Sequence, residues 1–146
     1  MRWNGTDFRH QDLTGQVIGV FYQVYNELGH GFLESVYENA MEIALSSANL
    51  HVKRQFPLPV FFRGLQIGDF RADLLVEEAV IVEVKAARSL EPVHEAQLLN
   101  YLRASQLEIG LLLNFGPEPQ IKRFVFSNDR KRRPEMKAEQ HKSVAG

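Results

Sequence analysis

Over residues 14–28, Val17, Ile18, Phe21, Tyr22, Val24, Tyr25 and Leu28 recur at the spacing of one helix face. Gly29 and Gly31 follow, and glycine just past the last periodic residue predicts the helix stop. A second stripe of Leu33, Val36, Tyr37, Ala40, Met41 and Ala44 predicts another helix, ended near Asn49 and packed on the first. The period then falls to two. Residues 51–62 are rich in β-branched and aromatic side chains, and Pro57 and Pro59 confine that stretch to an edge or a bend. After a turn at Arg63 and Gly64, residues 66–76 alternate. Phe70, Ala72, Leu74 and Val76 are predicted on one face, with Arg71, Asp73 and Leu75 on the other. Residues 79–86 put Val80, Val82, Val84 and Ala86 on one face and Ile81, Glu83 and Lys85 opposite. Pro92 suits the first turn of a third helix that runs through Arg103. Val93, Ala96 and Leu99 mark one side of it, and His94, Gln97 and Tyr101 an adjacent side. Residues 109–115 are almost wholly apolar, as in a strand covered on both faces, and residues 121–126 form a last strand after Gly116 and Pro117. The order α-α-β-β-β-α-β-β predicts an α/β (α+β) domain around one central sheet.

The 146 residues, 45% hydrophobic and 24% charged, suit a single globular domain with a real core. We expect that domain over residues 1–127 and a disordered basic tail over residues 128–146. With no cysteine, the chain has no disulfide framework, thiolate metal site, iron–sulfur cluster or cysteine nucleophile. No apolar signal region or bilayer-length apolar run is visible, so a cytoplasmic protein without a membrane partner is expected. The tail carries six Lys/Arg against three Asp/Glu, so the net charge of −1 leaves −4 on residues 1–127. That balance argues against a broad basic surface for nucleic acid.

The sharpest chemical feature is Asp73 followed, nine residues on, by Glu83, Val84 and Lys85. In a hairpin the two acids approach on one face, where like charges are unfavourable without a compensating cation. Two carboxylates with a main-chain carbonyl, here that of Val84, suit Mg²⁺ or Mn²⁺. Lys85, on the face of Glu83, would orient or activate a metal-bound water for phosphodiester hydrolysis. The plainer alternative is a solvated strand face with a cross-strand ion pair. Against it, Glu83 and Lys85 interrupt an apolar run where charge is costly. Glu34 is a further candidate, open also to the reading of an acid favoured by a helix N-terminus. Gln97 and Tyr101 form another candidate pair, open to the reading of a polar helix flank. His30 and His94 read as loop and surface residues outside the site.

Gly31-Phe-Leu-Glu34-Ser-Val-Tyr37 resembles the Gly-x-x-Glu-x-x-Tyr motif of the GxxExxY protein family, which belongs to the PD-(D/E)XK nuclease superfamily. Phe70-Arg-Ala-Asp73, Ile81-Val-Glu83-Val-Lys85, the segment from Pro92 to Tyr101 with Gln97, and Leu112-Leu-Asn-Phe-Gly116 resemble further blocks of that family, in its order. The resemblance implies a restriction-endonuclease-like core, with a helix before three antiparallel strands, then a helix and another strand. It also implies that Asp73, Glu83 and Lys85 match the acid and acid-x-lysine of the superfamily, Glu34 its helical glutamate and Gln97 its helical glutamine. The residue before the first acid is Ala72 where that motif has proline, and only the acid would meet the metal.

The reading is therefore a Mg²⁺- or Mn²⁺-dependent nuclease acting on nucleic acid, DNA ahead of RNA. Glu34, Asp73, Glu83 and the Val84 carbonyl would hold metal, Lys85 would activate water, and Gln97 and Tyr101 would hold Lys85 or a phosphate. Residues 130–133 would add weak electrostatic contact with DNA, or form part of a solvated tail. A catalytically inactive binding module for a protein or nucleic-acid end, and a metal-dependent hydrolase of small phosphate compounds, are the alternatives.

Overall fold

A computed structural model describes residues 5–131 of the chain, with side-chain surroundings from residue 11 onward. The elements are α1 (Gly5–Leu28), α2 (Glu34–Ser47), β1 (Val52–Phe62), β2 (Leu65–Val76), β3 (Val80–Lys85), α3 (Pro92–Arg103), β4 (Ile109–Phe115) and β5 (Pro119–Val125). This is the order that the changes of period predict. The five strands lie in sequence order in one sheet. β1, β2 and β3 are antiparallel, β3 and β4 are parallel through the α3 crossover, and β4 and β5 are antiparallel. The sheet is thus mixed and the fold restriction-endonuclease-like. Among the described residues no helix is long and apolar enough to cross a membrane.

The sheet is covered on both faces. Val17, Phe21 and Val24 of α1 and Tyr37, Met41 and Leu45 of α2 pack on Val80, Val82, Val84, Leu111 and Leu113. On the opposite face Leu98, Tyr101 and Leu102 of α3 pack on Ile81 and Leu112. Every residue of β4 is buried, as its unbroken apolar run requires. Gly110 is needed there, because a β-carbon at that position would lie 2.9 Å from the Leu98 side chain. β1 is an edge strand, which accommodates Pro57 and Pro59.

Three local expectations are corrected, and the structure chooses between two apolar stripes in α3. α1 begins at Gly5, well before the apolar pattern, because periodicity reports only the part of a helix that must bury a stripe. In α3 the inward residues are Leu98, Tyr101 and Leu102, while Val93 stays 68% exposed. The helix carries two overlapping apolar stripes, and Gly110 opens the sheet to the one containing Leu98. In β2, Ala72 packs with α3 whereas Leu74 and Val76 pack with α1 and α2, so the alternation slips at Asp73. Its β1 neighbourhood slips too, Val52 packing with the first cluster and Phe56 with the second, around Gln55 at φ 50°. Finally, residues 128–131 are not free coil. Asn128–Arg130 is a 3-10 turn, the Asn128 N–H donates to Glu108 Oε2 at 2.7 Å, and Lys131 Nζ donates to the Ser105 and Leu107 carbonyls. The rest of the expected tail, including Arg132 and Arg133, lies outside the described residues.

Candidate active site

β2 and β3 pair from Val76 and Val80 only as far as Leu74 and Val82. Beyond that point side chains replace the ladder. The Asp73 N–H donates to Glu83 Oε2 at 2.9 Å, and the Val84 N–H donates to Asp73 Oδ2 at 2.8 Å. Each carboxylate thus takes a main-chain N–H from the opposite strand, and the second oxygen of each makes no protein hydrogen bond among the described residues. Glu83 is only 3% exposed, within a strand otherwise made of valine, isoleucine and Lys85.

Burial disfavours the ionised form of both groups. Burial, foremost, pushes the Glu83 carboxyl up to about 8, with the Asp73 charge adding to it. Burial also pushes Asp73 up to about 6; the Val84 N–H opposes that rise, while Glu38 and Glu34 reinforce it. Lys85 lowers both.

Lys85 follows on the α3 face of β3. Its Nζ makes no ion pair with either carboxylate; it donates to Gln97 Oε1 at 3.1 Å, and Gln97 Nε2 donates to the Tyr101 hydroxyl at 3.1 Å. The cross-strand ion pair is therefore not what the structure contains. Gln97 and Tyr101, one turn apart on α3, form a brace that holds the ammonium at the site's edge. Burial raises the Tyr101 hydroxyl, with the Glu83 and Asp73 charges adding to it, so it remains protonated and able to donate.

The end of β3 is fixed by Asn114 on β4, opposite Lys85 in register and fully buried. Its side chain accepts the Ala87 N–H at 2.8 Å and donates to the Ala87 carbonyl at 3.0 Å. Sequence reasoning gave Asn114 no role; a lone amide inside an apolar strand was the available signal.

The glycine-to-tyrosine heptad separates into two jobs. Gly31 adopts φ 113°, which disfavours a side chain. The Tyr37 hydroxyl donates to the Gly29 carbonyl at 2.7 Å and accepts the Phe32 N–H at 3.2 Å, while its ring stacks on Phe115 at 4.2 Å. Those two residues shape the α1–α2 turn. Glu34 is exposed at the start of α2, without a hydrogen bond or ion pair among the described residues. Its charge raises Asp73 less than that of Glu38 does, and Glu34 is not gathered with Asp73 and Glu83 into a three-carboxylate cluster.

A carboxylate that sequence reasoning missed stands nearer. Glu38, one turn after Glu34, is 7% exposed, and its Oε1 accepts from Arg54 Nη2 at 3.0 Å and Gln55 Nε2 at 2.7 Å. Its field raises both Asp73 and Glu83. An acid between Tyr37 and Met41 on the buried side of α2 was the signal for it.

Among the described residues no three His, Asp or Glu side chains are gathered closely enough to hold a metal between them. The donor set nonetheless fits a hard divalent cation: adjacent carboxylates, each with an uncommitted oxygen, in a field acidic enough to raise both.

A family model described as the PD-(D/E)XK nuclease superfamily matches residues 11–124. The chain is also similar to the crystal structure of SSO0001, at a TM-score of 0.51 and 18% identity, covering 76% of this chain and 57% of that one. At that identity the likeness shows the fold alone, and this chain spans little more than half of SSO0001. No curated protein matches the chain.

Proposed function

Because the chain belongs to the PD-(D/E)XK nuclease superfamily, we propose that it hydrolyses phosphodiester bonds of nucleic acid, DNA ahead of RNA, with Mg²⁺ or Mn²⁺. The observation that carries this is the reciprocal Asp73–Glu83 pair with Lys85 braced beside it by Gln97. Main-chain bonding alone would account for one oxygen of each acid; the second oxygens, uncommitted beside the braced Lys85, support a cation site over a purely structural pair. The Gly31–Tyr37 heptad supports a place within the GxxExxY family.

Asp73, Glu83 and the Val84 carbonyl would hold the cation, which when bound supplies Lewis-acid polarisation of the phosphate and a more acidic water. Lys85 holds the attacking water or a non-bridging phosphate oxygen by its ammonium N–H groups. Gln97 fixes the Lys85 rotamer, and the Tyr101 hydroxyl fixes Gln97. Glu34, exposed one turn from Glu38, would join through water. In the reaction, water oxygen bonds to phosphorus, the ester P–O bond breaks, and the water proton finally rests on the leaving oxygen.

The charge of −4 on residues 1–127 favours a second reading, a binding module that keeps the fold without turnover. Incubation with Mn²⁺ or Mg²⁺ and linear, circular, single-stranded and small phosphodiester substrates separates the two. Metal-dependent cleavage lost in Glu83→Gln supports hydrolysis; no cleavage of any substrate supports the module.

A further inference from the structure

Outside the carboxylate pair, a groove of about 600 Å³ among the described residues lies between the β1–β2 hairpin and α3. That volume lies within the ~300–1,000 Å³ of small-molecule sites. Val60 and Phe70 line it from the hairpin, and Val93, Asn100, Tyr101 and Arg103 from the helix. It exists because the alternation of β2 slips at Asp73, which turns Phe70 and Ala72 toward α3. The Phe70 ring lies 5.8 Å from the Tyr101 ring, yet the residue is 47% exposed, so an aromatic surface faces the open groove.

We propose that this groove takes an unpaired nucleobase, which makes single-stranded nucleic acid the substrate of the adjacent site. The inference rests on the phosphodiesterase reading above and narrows it. Three observations favour this occupant. First, the groove is continuous with the site: Tyr101 forms its wall and, through Gln97, holds Lys85. A strand with one phosphate at Lys85 therefore brings a neighbouring base to Phe70. Second, the groove wall carries no carboxylate in a domain that is acidic overall. Its cationic edge is Arg103, and Glu95 of the same helix is turned away toward Lys122 Nζ, at 3.7 Å on β5. Third, Asn100 Oδ1 accepts from Arg103 Nη1 at 2.8 Å, which leaves the Asn100 amide N–H groups to donate to an acceptor on a base edge. A flat π surface with a few polar groups at its rim is the chemistry of base stacking on aromatic side chains. A duplex keeps its base faces stacked on one another and cannot fill such a groove without unpairing.

The test is fluorescence anisotropy on the full chain with end-labelled probes: a short oligothymidylate, an abasic chain of the same phosphate count, and a blunt duplex. Ca²⁺ replaces Mg²⁺ during titration to limit turnover of the probe. Wild type is expected to bind oligothymidylate at least tenfold more tightly than the other two. In Phe70→Ala that margin shrinks to within twofold, and in Phe70→Trp it is retained. Melting curves check that both variants fold, and the wild-type comparison decides the matter even if one does not. Binding of the abasic chain or the duplex within twofold of oligothymidylate overturns the proposal, as does a full margin in folded Phe70→Ala. Hydrolysis is read separately, with bis(p-nitrophenyl) phosphate, a diester without bases, beside the oligonucleotides. Hydrolysis of that diester without a binding margin rejects the groove and keeps the phosphodiesterase. No hydrolysis of any diester by wild type overturns the substrate assignment together with the reading beneath it.

Discussion

Asp73 and Glu83 are bound to each other's strands: the Asp73 N–H donates to Glu83 Oε2 at 2.9 Å, and the residue after Glu83 donates its N–H to Asp73 Oδ2 at 2.8 Å. The two acids brace the point where β2 parts from β3. They satisfy main-chain donors that the broken ladder would leave unpaired, and they sit deeply enough for burial to oppose their charge. One geometry therefore serves the fold and, in the proposed function, would also serve a cation.

The pair should make the metal-free protein less stable as pH rises. Both folded values, about 6 for Asp73 and about 8 for Glu83, exceed the ordinary 3.8 and 4.5. A carboxyl raised on folding contributes stability that is full below its unfolded value and disappears as pH climbs through its folded value. With metal removed by chelator, Tm should fall between pH 5 and 8.5, and the fall should be shallower in Glu83→Gln. Added Mn²⁺ should restore Tm most strongly at the upper end, because binding there displaces fewer protons. Thermal melts across that range check the sign.

Neutral carboxamides keep an oxygen for the main-chain N–H and remove the repelling charge. Asp73→Asn and Glu83→Gln should therefore abolish cleavage while leaving Tm at pH 8 equal or higher by a few degrees. Val82→Asp, fully buried beside them on the opposite face, should unfold the domain by burying an unpaired charge. Carboxamide variants that unfold as Val82→Asp does would make the two acids purely structural.

Much of this was legible from residue spacing, and the exceptions have physical causes. Periods of 3.6 and 2 laid out the elements in order, and spacing set Asp73, Glu83 and Lys85 on neighbouring strands. The slip of face at Asp73 was hidden because Ala72, Leu74 and Leu75 are all apolar and all buried, so alternation alone cannot show where it breaks. In α3, Val93, Ala96 and Leu99 compete with Leu98, Tyr101 and Leu102, and only the gap at Gly110 across the sheet chooses between them. Glu38 showed only as an acid on the apolar side of α2, because the partners that make its burial tolerable, Arg54 and Gln55, come from a different element.

Glu34 and Glu38 should respond in opposite ways. Glu38→Ala removes the acceptor of Arg54 and Gln55, two exposed donors that water can satisfy, and should destabilise by about 0.5–1.5 kcal/mol, the usual net scale of a hydrogen bond. Glu34→Gln touches no partner and should leave Tm within a degree or two. If Glu34 joins the cation through water, the same variant should weaken Mn²⁺ binding severalfold. Paired melts and calorimetric Mn²⁺ titrations distinguish them; an unchanged titration for Glu34→Gln would leave that residue outside the metal site.

Lys85 carries the catalytic claim most directly. Lys85→Met retains much of the aliphatic stem, so β3 should pack as before. Loss of the ammonium should leave Mn²⁺ affinity equal or higher, since a nearby positive charge opposes cation binding. The deciding measurement is the turnover of wild type and Lys85→Met on the same phosphodiester, each saturated with Mn²⁺. The account predicts a fall of about 10²-fold or more, the usual scale for losing one positioned donor to developing charge. Turnover within a few-fold of wild type would contradict it and reduce Lys85 to a strand residue held by Gln97.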